Sequence, residues 1–278
     1  MIDVVSRHCQ TAAWLALGAM WTTAAAAAEY RVELGAGVLR HDGYLQTPAG
    51  GAPGSTDLKR PTFAELNLEG GNYRWLSGIV EWHRRDDEGA FSVAGVPVHL
   101  RLRVRHEQIR DKAEAVLATP LRIWGRTLPA GDSVRSEVSF DGFSLALTGV
   151  FDLADGVTAE LGAGAGWTAY DFFMVGPRHH AERAYHVNSI GLVGSLAKDF
   201  GQGWRLEAVL RAFPALDGTG SSYLVEPRIR RRLTERATLV LAAPFEWFRY
   251  DDAHKQEMPN RLNVRRRVVP SIAIGLDL

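Results

Sequence analysis

Apolar and polar residues alternate one by one along most of this chain. The clearest run is Val96–Arg105, where Val96, Val98, Leu100, Leu102 and Val104 alternate with Pro97, His99, Arg101, Arg103 and Arg105. A period of two puts the first set on one face of a β-strand and the second set on the other. One face is then aliphatic and the other carries three arginines. In a soluble sheet the aliphatic face packs on a core and the arginines meet water. In a membrane barrel the aliphatic face meets lipid and the arginines meet a polar interior.

The same period recurs to the C terminus. Tyr30, Val32, Leu34, Ala36 and Val38 begin a strand, and Ala64, Leu66 and Leu68 another. Gly70-Gly71-Asn72 carries a tight-turn signal before a strand at Tyr73–Arg84. His106–Asp132 is mixed: Glu107–Leu117 has helix-forming composition, and the even strand number of bacterial barrels places a strand at about Ala115–Arg126. Alternation is clean again at Phe143–Phe151, Val157–Tyr170, Ile190–Leu196, Trp204–Leu210, Tyr223–Arg232, Ala237–Tyr250 and Asn263–Leu278. The pattern predicts an all-β fold, a transmembrane antiparallel up-and-down β-barrel of about twelve strands. Short turns follow the second, sixth, eighth and tenth strands, all on one side, and longer loops lie on the other. Aromatics gather at two levels. Tyr30, Tyr73, Trp75, Phe151, Phe200 and Trp204 fall at short-turn ends; Tyr44, Phe63, Trp82, Phe91, Trp167, Tyr170, Phe245, Trp247 and Tyr250 fall near long-loop ends. Two aromatic levels with aliphatics between them are expected where a barrel wall crosses both membrane interfaces.

Residues 1–28 read differently. Arg7 precedes an apolar stretch at Ala12–Met20, and Ala26-Ala27-Ala28 supplies the small residues that a signal peptidase reads. The expected division is a cleaved signal peptide at 1–28 and a barrel domain at 29–278. The single cysteine, Cys9, lies in the signal segment, so thiolate chemistry is not expected of the barrel. No later run approaches the ~20 apolar residues of a spanning helix.

These features together resemble the Gram-negative outer-membrane β-barrel class along essentially all of 29–278. The resemblance implies export to the bacterial outer membrane, contact with outer-membrane lipid, and insertion by the barrel assembly machinery. Members of the class usually end in an aromatic residue; this chain ends in Leu278.

Charge alters the picture locally. Lys plus Arg and Asp plus Glu number 32 each, which gives no sign of a nucleic-acid partner. The faces opposite the aliphatic ones carry Arg101, Arg103 and Arg105, and on the last strands Arg228, Arg230, Arg265 and Arg267. Arginine-lined pores select anions, so one expectation is a narrow channel for small anionic solutes. The competing expectation is a structural lattice, with Glu65, Glu69 and Glu81 on neighbouring strands as salt-bridge partners. Gly162, Gly164 and Gly166 are expected to face inward and relieve crowding. An enzyme is the other class. Asp252 and His254 in the last long loop, with Asp86 and Asp87 in an earlier one, are similar to the paired Asp–Asp and Asp–His arrangement of omptin proteases. Here the first pair is adjacent rather than spaced by one residue, and a solvated acidic loop is the default reading. A structural partner of an envelope export system fits every feature as well. No phosphate-cradling glycine motif, zinc spacing or calcium loop occurs, so no cofactor and no metal are expected.

Overall fold

The computed structural model describes residues 28–46, 61–82, 91–93, 96–123, 126–177, 179–253 and 260–278. The signal-like residues 1–27, together with Asp86, Asp87 and His254, lie outside the described residues. The strands in chain order are β1 (Ala28–Gln46), β2 (Gly70–Trp82), β3 (Phe91–Val93), β4 (Val96–Val116), β5 (Leu121–Ile123), β6 (Arg126–Leu128), β7 (Ser133–Ala154), β8 (Val157–Val175), β9 (His180–Asp199), β10 (Trp204–Pro214), β11 (Gly220–Arg232), β12 (Ala237–Ala242), β13 (Phe245–Asp251) and β14 (Arg261–Asp277).

These strands form an antiparallel barrel. Neighbours pair in the order β1-β2-β4-β7-β8-β9-β10-β11, and β12 and β13 together fill the next place against both β11 and β14. Pairing of β1 with β14, from Arg31↔Asp277 to Gln46↔Arg261, closes the ring. The described ring thus has ten places rather than about twelve. Two expected strands are absent from it. Pro61–Glu69 folds as turns, with Asn67 at φ 55°, and tucks Phe63, Leu66 and Leu68 into the barrel mouth at 0% exposure. Burying three apolar side chains there outweighs pairing them along a wall, each being worth about 1.5–3 kcal/mol. The strand expected at Ala115–Arg126 is the far end of β4, followed by the miniature β5–β6 hairpin. Likewise Gly70–Asn72 makes no turn; it opens β2 and pairs with Leu39, Arg40 and Arg110. The number remains even, and the start of β1 and the C-terminal residue lie with the short turns, where Leu278 N donates to Tyr30 O. Short turns mark the periplasmic end of such a barrel.

Outward-facing residues form an aliphatic belt. Leu34, Leu161 and Leu192 are 65%, 62% and 63% exposed, and Leu147, Leu210 and Ile274 continue the belt around the ring. Soluble proteins rarely expose contiguous apolar area of this extent; on an outer-membrane barrel it is the lipid-facing surface. Phe200 and Trp204 at the short-turn end, and Tyr223, Phe245 and Trp247 toward the loop end, are exposed at its margins. Tyr73, Trp75, Phe63 and Tyr170, by contrast, are buried inside the barrel and belong to no girdle. The wall is pressed inward beside β8. A Cβ on inward-facing Gly162 would stand 2.1 Å from the Leu147 carbonyl oxygen, so only glycine permits that approach.

Candidate functional site

Among the described residues the chemistry-bearing side chains converge in the barrel interior, and β4 organises them. Arg101, Arg103 and Arg105 point inward at successive alternate positions, as the period requires. Arg101 faces Glu81 of β2 in register, at 2.6 Å from Nη2, and its Nη1 reaches Glu160 of β8 at 2.8 Å. Glu160 also accepts from Arg103 Nη2 at 3.0 Å, Thr148 Oγ1 at 2.6 Å and Ser195 Oγ at 3.0 Å. Glu207 of β10 takes Arg230 Nε at 2.9 Å and lies 3.7 Å from both Arg228 and Arg103. Glu33 of β1 receives Arg230 and Arg228 from across the lumen. Arg105 pairs with Glu107 at 2.5 Å and Glu226 at 2.9 Å, and donates to Tyr73 Oη at 2.7 Å. Arg211 joins Glu107 at 3.5 Å, and Arg266 pairs with Glu246 at 2.5 Å.

Seven arginines thus meet seven glutamates among the described residues: Arg101, Arg103, Arg105, Arg211, Arg228, Arg230 and Arg266 against Glu33, Glu81, Glu107, Glu160, Glu207, Glu226 and Glu246. Balance of this kind follows from burial, because an isolated charge out of water is costly and a paired, hydrogen-bonded one is tolerated. The lattice ties β1, β2, β4, β8, β10 and β11 to one another through the lumen and fills the barrel at that level.

Above the lattice, toward the long loops, the interior is mostly apolar, with the Arg266–Glu246 pair set against Phe140. Trp75 forms the boundary, with the Arg105 and Arg228 guanidinium carbons 4.7 and 5.9 Å from its ring centroid. Phe140, Tyr170, Tyr185 and Phe248 pack beyond it, with Tyr170 stacked on Phe248 at 6.3 Å. A buried His41–Asp111 pair, 2.9 Å apart, sits under Phe63, whose ring stacks on His41 at 4.9 Å. Leu117, Leu121 and Leu128 close the same end from the β5–β6 side.

Below the lattice, toward the short turns, lies a polar vestibule of about 520 Å³. Arg31, Glu81, His99, Arg103, Arg205 and Arg232 contribute to its wall. Several of these are held. Arg31 Nε pairs with Asp277 at 2.6 Å. Arg205 donates to Asp199 at 2.9 Å and to Thr158 Oγ1 at 2.6 Å. Arg103 differs. Its side chain is 7% exposed, and its Nε and Nη1, both sealed from solvent, find no hydrogen-bond partner among the described residues. A carboxylate or phosphate in the vestibule would supply the partner that these two donors lack, once the floor side chains shift to admit it.

The positions expected from sequence divide accordingly. Arg101, Arg103, Arg105, Arg228 and Arg230 are inside. Arg265 and Arg267 are not; both face outward, and Arg266 is the buried one. The cause is a register shift. Between Ala36↔Ile272 and Val38↔Val269, β14 accommodates one additional residue beside Pro270, and its faces exchange. Glu81 is a lattice partner, whereas Glu65 and Glu69 are exposed. Glu65 accepts from Thr62 N and Oγ1 instead, at 2.9 and 3.0 Å. Both lie on the turn segment in the mouth, too far along the barrel axis to reach β4's arginines. Asp252 is buried, taking Asn260 N at 2.6 Å and Nδ2 at 2.7 Å, a structural role in closing the last loop. Sequence reasoning missed Glu33, Glu107 and Arg266 as members of the lattice. Glu33 stands on the polar phase of the first strand, and Glu107 continues the phase of Arg101–Arg105, so both carried a legible signal.

A scan against protein-family models and a search of curated proteins return no match. Solved structures with a similar course include the outer-membrane protease OmpT from Escherichia coli, at 8% identity over 90% of this chain and 97% of that one, TM-score 0.45. The translocator domain of the autotransporter NalP from Neisseria meningitidis is similar at 9% identity over 99% and 97%, TM-score 0.43. Ail, the attachment invasion locus protein of Yersinia pestis, is similar at 11% identity over 91% and 99%, TM-score 0.35. The barrel assignment rests on the strand pairing and lipid-facing belt described above.

Proposed function

We propose that this chain is a non-conducting barrel of the bacterial outer membrane that binds a small anionic solute from the periplasmic side. The observation that carries the reading is the filled middle of the lumen. Seven paired arginines and glutamates span it, and an apolar plug lies above them. A steady anion path would require these ion pairs to separate inside the wall, at several kcal/mol for each charge left alone. A blind vestibule needs no such rearrangement. Arg103 lies at its floor with two sealed donors that lack a partner among the described residues and that a small shift of the floor side chains exposes, and guanidinium groups recognise carboxylates and phosphates through paired N–H bonds. The volume of about 520 Å³ falls within the range of small-molecule sites.

Isothermal titration of the detergent-solubilised protein with citrate and with pyrophosphate tests the reading. Wild-type protein is expected to bind at least one of the two, more weakly as salt rises. Arg103→Gln should weaken binding at least tenfold while the folded band on an unheated gel is retained. Absence of binding for both anions, or equal binding by folded Arg103→Gln, contradicts it.

A further inference from the structure

The outer wall contains a recess that neither the vestibule nor the lattice uses. Five outward positions form one cross-strand row on adjacent strands, climbing away from the short-turn rim: Leu196 on β9, Ala208 on β10, Pro227 on β11, Ala243 at the β12–β13 break, and Pro270 on β14. The register Leu196↔Ala208↔Pro227 fixes the first three. Ala243 N donates to Pro227 O at 3.0 Å, and Ala242↔Ser271 brings Pro270 alongside. Four of the five are alanine or imino acid between bulky rows. The row on the short-turn side is Leu206, Ile229 and Leu241; the row on the other side is Leu210, Val225 and Phe245. The result is an apolar groove of about 680 Å³, with Val157 and Lys198 at its β8–β9 end.

The prolines have a second consequence. Pro227 and Pro270 cannot donate to the ladder, and Pro244 interrupts the strand between β12 and β13. Ser271 Oγ donates to Ala242 O at 3.0 Å where a ladder bond is missing. A wall strand broken here, a register shift in β14 and a row of small side chains coincide, and all three deepen the same stretch of lipid-facing surface.

We propose that this groove holds one acyl chain of a phospholipid of the periplasmic leaflet. The dimensions fit. Four inter-strand steps from Leu196 to Pro270 make about 19 Å; with strands tilted about 40° the row rises about 12 Å along the membrane normal, against about 15 Å for one leaflet's hydrocarbon layer. The lining is aliphatic, and the surface around it is the lipid-facing belt, so an aqueous ligand has no route to it. The charge is placed to match. Lys198 stands at the short-turn end of the groove, where its ammonium donates to the Asp155 carbonyl and carries three donors in all. Exposed Phe200 and Trp204 mark the headgroup level beside it. The phosphate of a chain lying in the groove meets that ammonium, which favours a net anionic headgroup.

Native mass spectrometry of protein released from nanodiscs of equal phosphatidylglycerol and phosphatidylcholine tests this. The wild type is expected to retain one phospholipid per barrel, mostly phosphatidylglycerol. Ala208→Trp, which fills the groove, should cut retention at least tenfold, while Ala165→Trp on the outward face of β8 should leave it unchanged. Lys198→Gln should retain a lipid without preference for phosphatidylglycerol. Should Ala208→Trp not assemble, Ala208→Leu and Ala243→Leu are read in its place. No retained lipid in the wild type overturns the proposal. So does equal retention by the folded groove-filling variants, or equal loss in Ala165→Trp, either of which marks ordinary surrounding lipid.

Discussion

Replacing Glu207 by glutamine removes one negative charge from the middle of the lattice. Three arginines depend on that charge: Arg230 at 2.9 Å, and Arg228 and Arg103 at 3.7 Å each. At an effective dielectric of about 20, the attractions are about 6 kcal/mol for the nearer contact and about 4.5 kcal/mol for each of the others. Desolvation of the carboxylate and repulsion from Glu33 and Glu160 offset most of this. Removing one member of a buried ion pair typically leaves a net cost of about 3–5 kcal/mol, and the Glu207→Gln variant is expected in that range. Glu81 is the internal comparison. It pairs with Arg101 nearer the vestibule, and its side chain is 17% exposed against 4% for Glu207. Glu81→Gln should therefore cost about 1 kcal/mol, closer to a solvated pair. Urea unfolding from lipid vesicles, followed by tryptophan fluorescence, measures both. With a slope of about 1–3 kcal/mol per molar, Glu207→Gln should lower the midpoint by at least 1 M. The double variant Glu207→Gln/Arg230→Gln should recover part of that loss, as coupled partners do. If Glu207→Gln lies within about 0.5 kcal/mol of wild type, as an ordinary surface change does, the lattice is solvated and the filled-lumen account is wrong.

Other expectations follow from the same geometry. Arg266→Gln should destabilise the barrel by about 2–4 kcal/mol by stranding the buried Glu246 carboxylate. Arg265→Gln and Arg267→Gln should stay within about 0.5 kcal/mol, and the same unfolding series reads all three. Phe63→Ala should release the Pro61–Glu69 segment from the mouth, at a cost of about 3 kcal/mol or more. Limited proteolysis should then cut within that segment while the ring stays intact. Gly35→Leu should lower stability by about 1–3 kcal/mol through overpacking, because a Cβ there already stands 2.4 Å from the Trp75 ring. A change in tryptophan emission should accompany it.

The barrel class was legible because lipid and lumen impose opposite demands on alternate residues, and β4, β8 and β10 obey that rule without interruption. The strand number was not. Phe63, Leu66 and Leu68 satisfy a strand pattern and yet turn inside the mouth, since burial of an apolar side chain is rewarded in either conformation. Aromatic position misled for a similar reason. Trp75 and Tyr170 sit near strand ends, as girdle residues do, but they stand on the inward phase of their strands, in step with Glu81 and Glu160. In β14 the error had a single local cause, one additional residue beside Pro270, and a one-residue slip exchanges every side chain between faces. That slip put Arg265 and Arg267 outside and Arg266 inside. On the site, the direction of Arg101, Arg103 and Arg105 was readable from the sequence. Among their partners on other strands only Glu81, on the neighbouring one, was readable; Glu160 stands two strands away and Glu207 and Glu226 on the far side of the ring, and no local pattern encodes contacts between strands that do not pair.

Single-channel recording in a planar bilayer addresses the central claim most directly, that the lumen is filled at mid-height. The account predicts no stepwise conductance from the wild-type protein, at any applied voltage that leaves the bilayer intact. Sustained, discrete conductance steps, with anion selectivity that falls when Arg101, Arg103 and Arg105 are changed to glutamine, would contradict it.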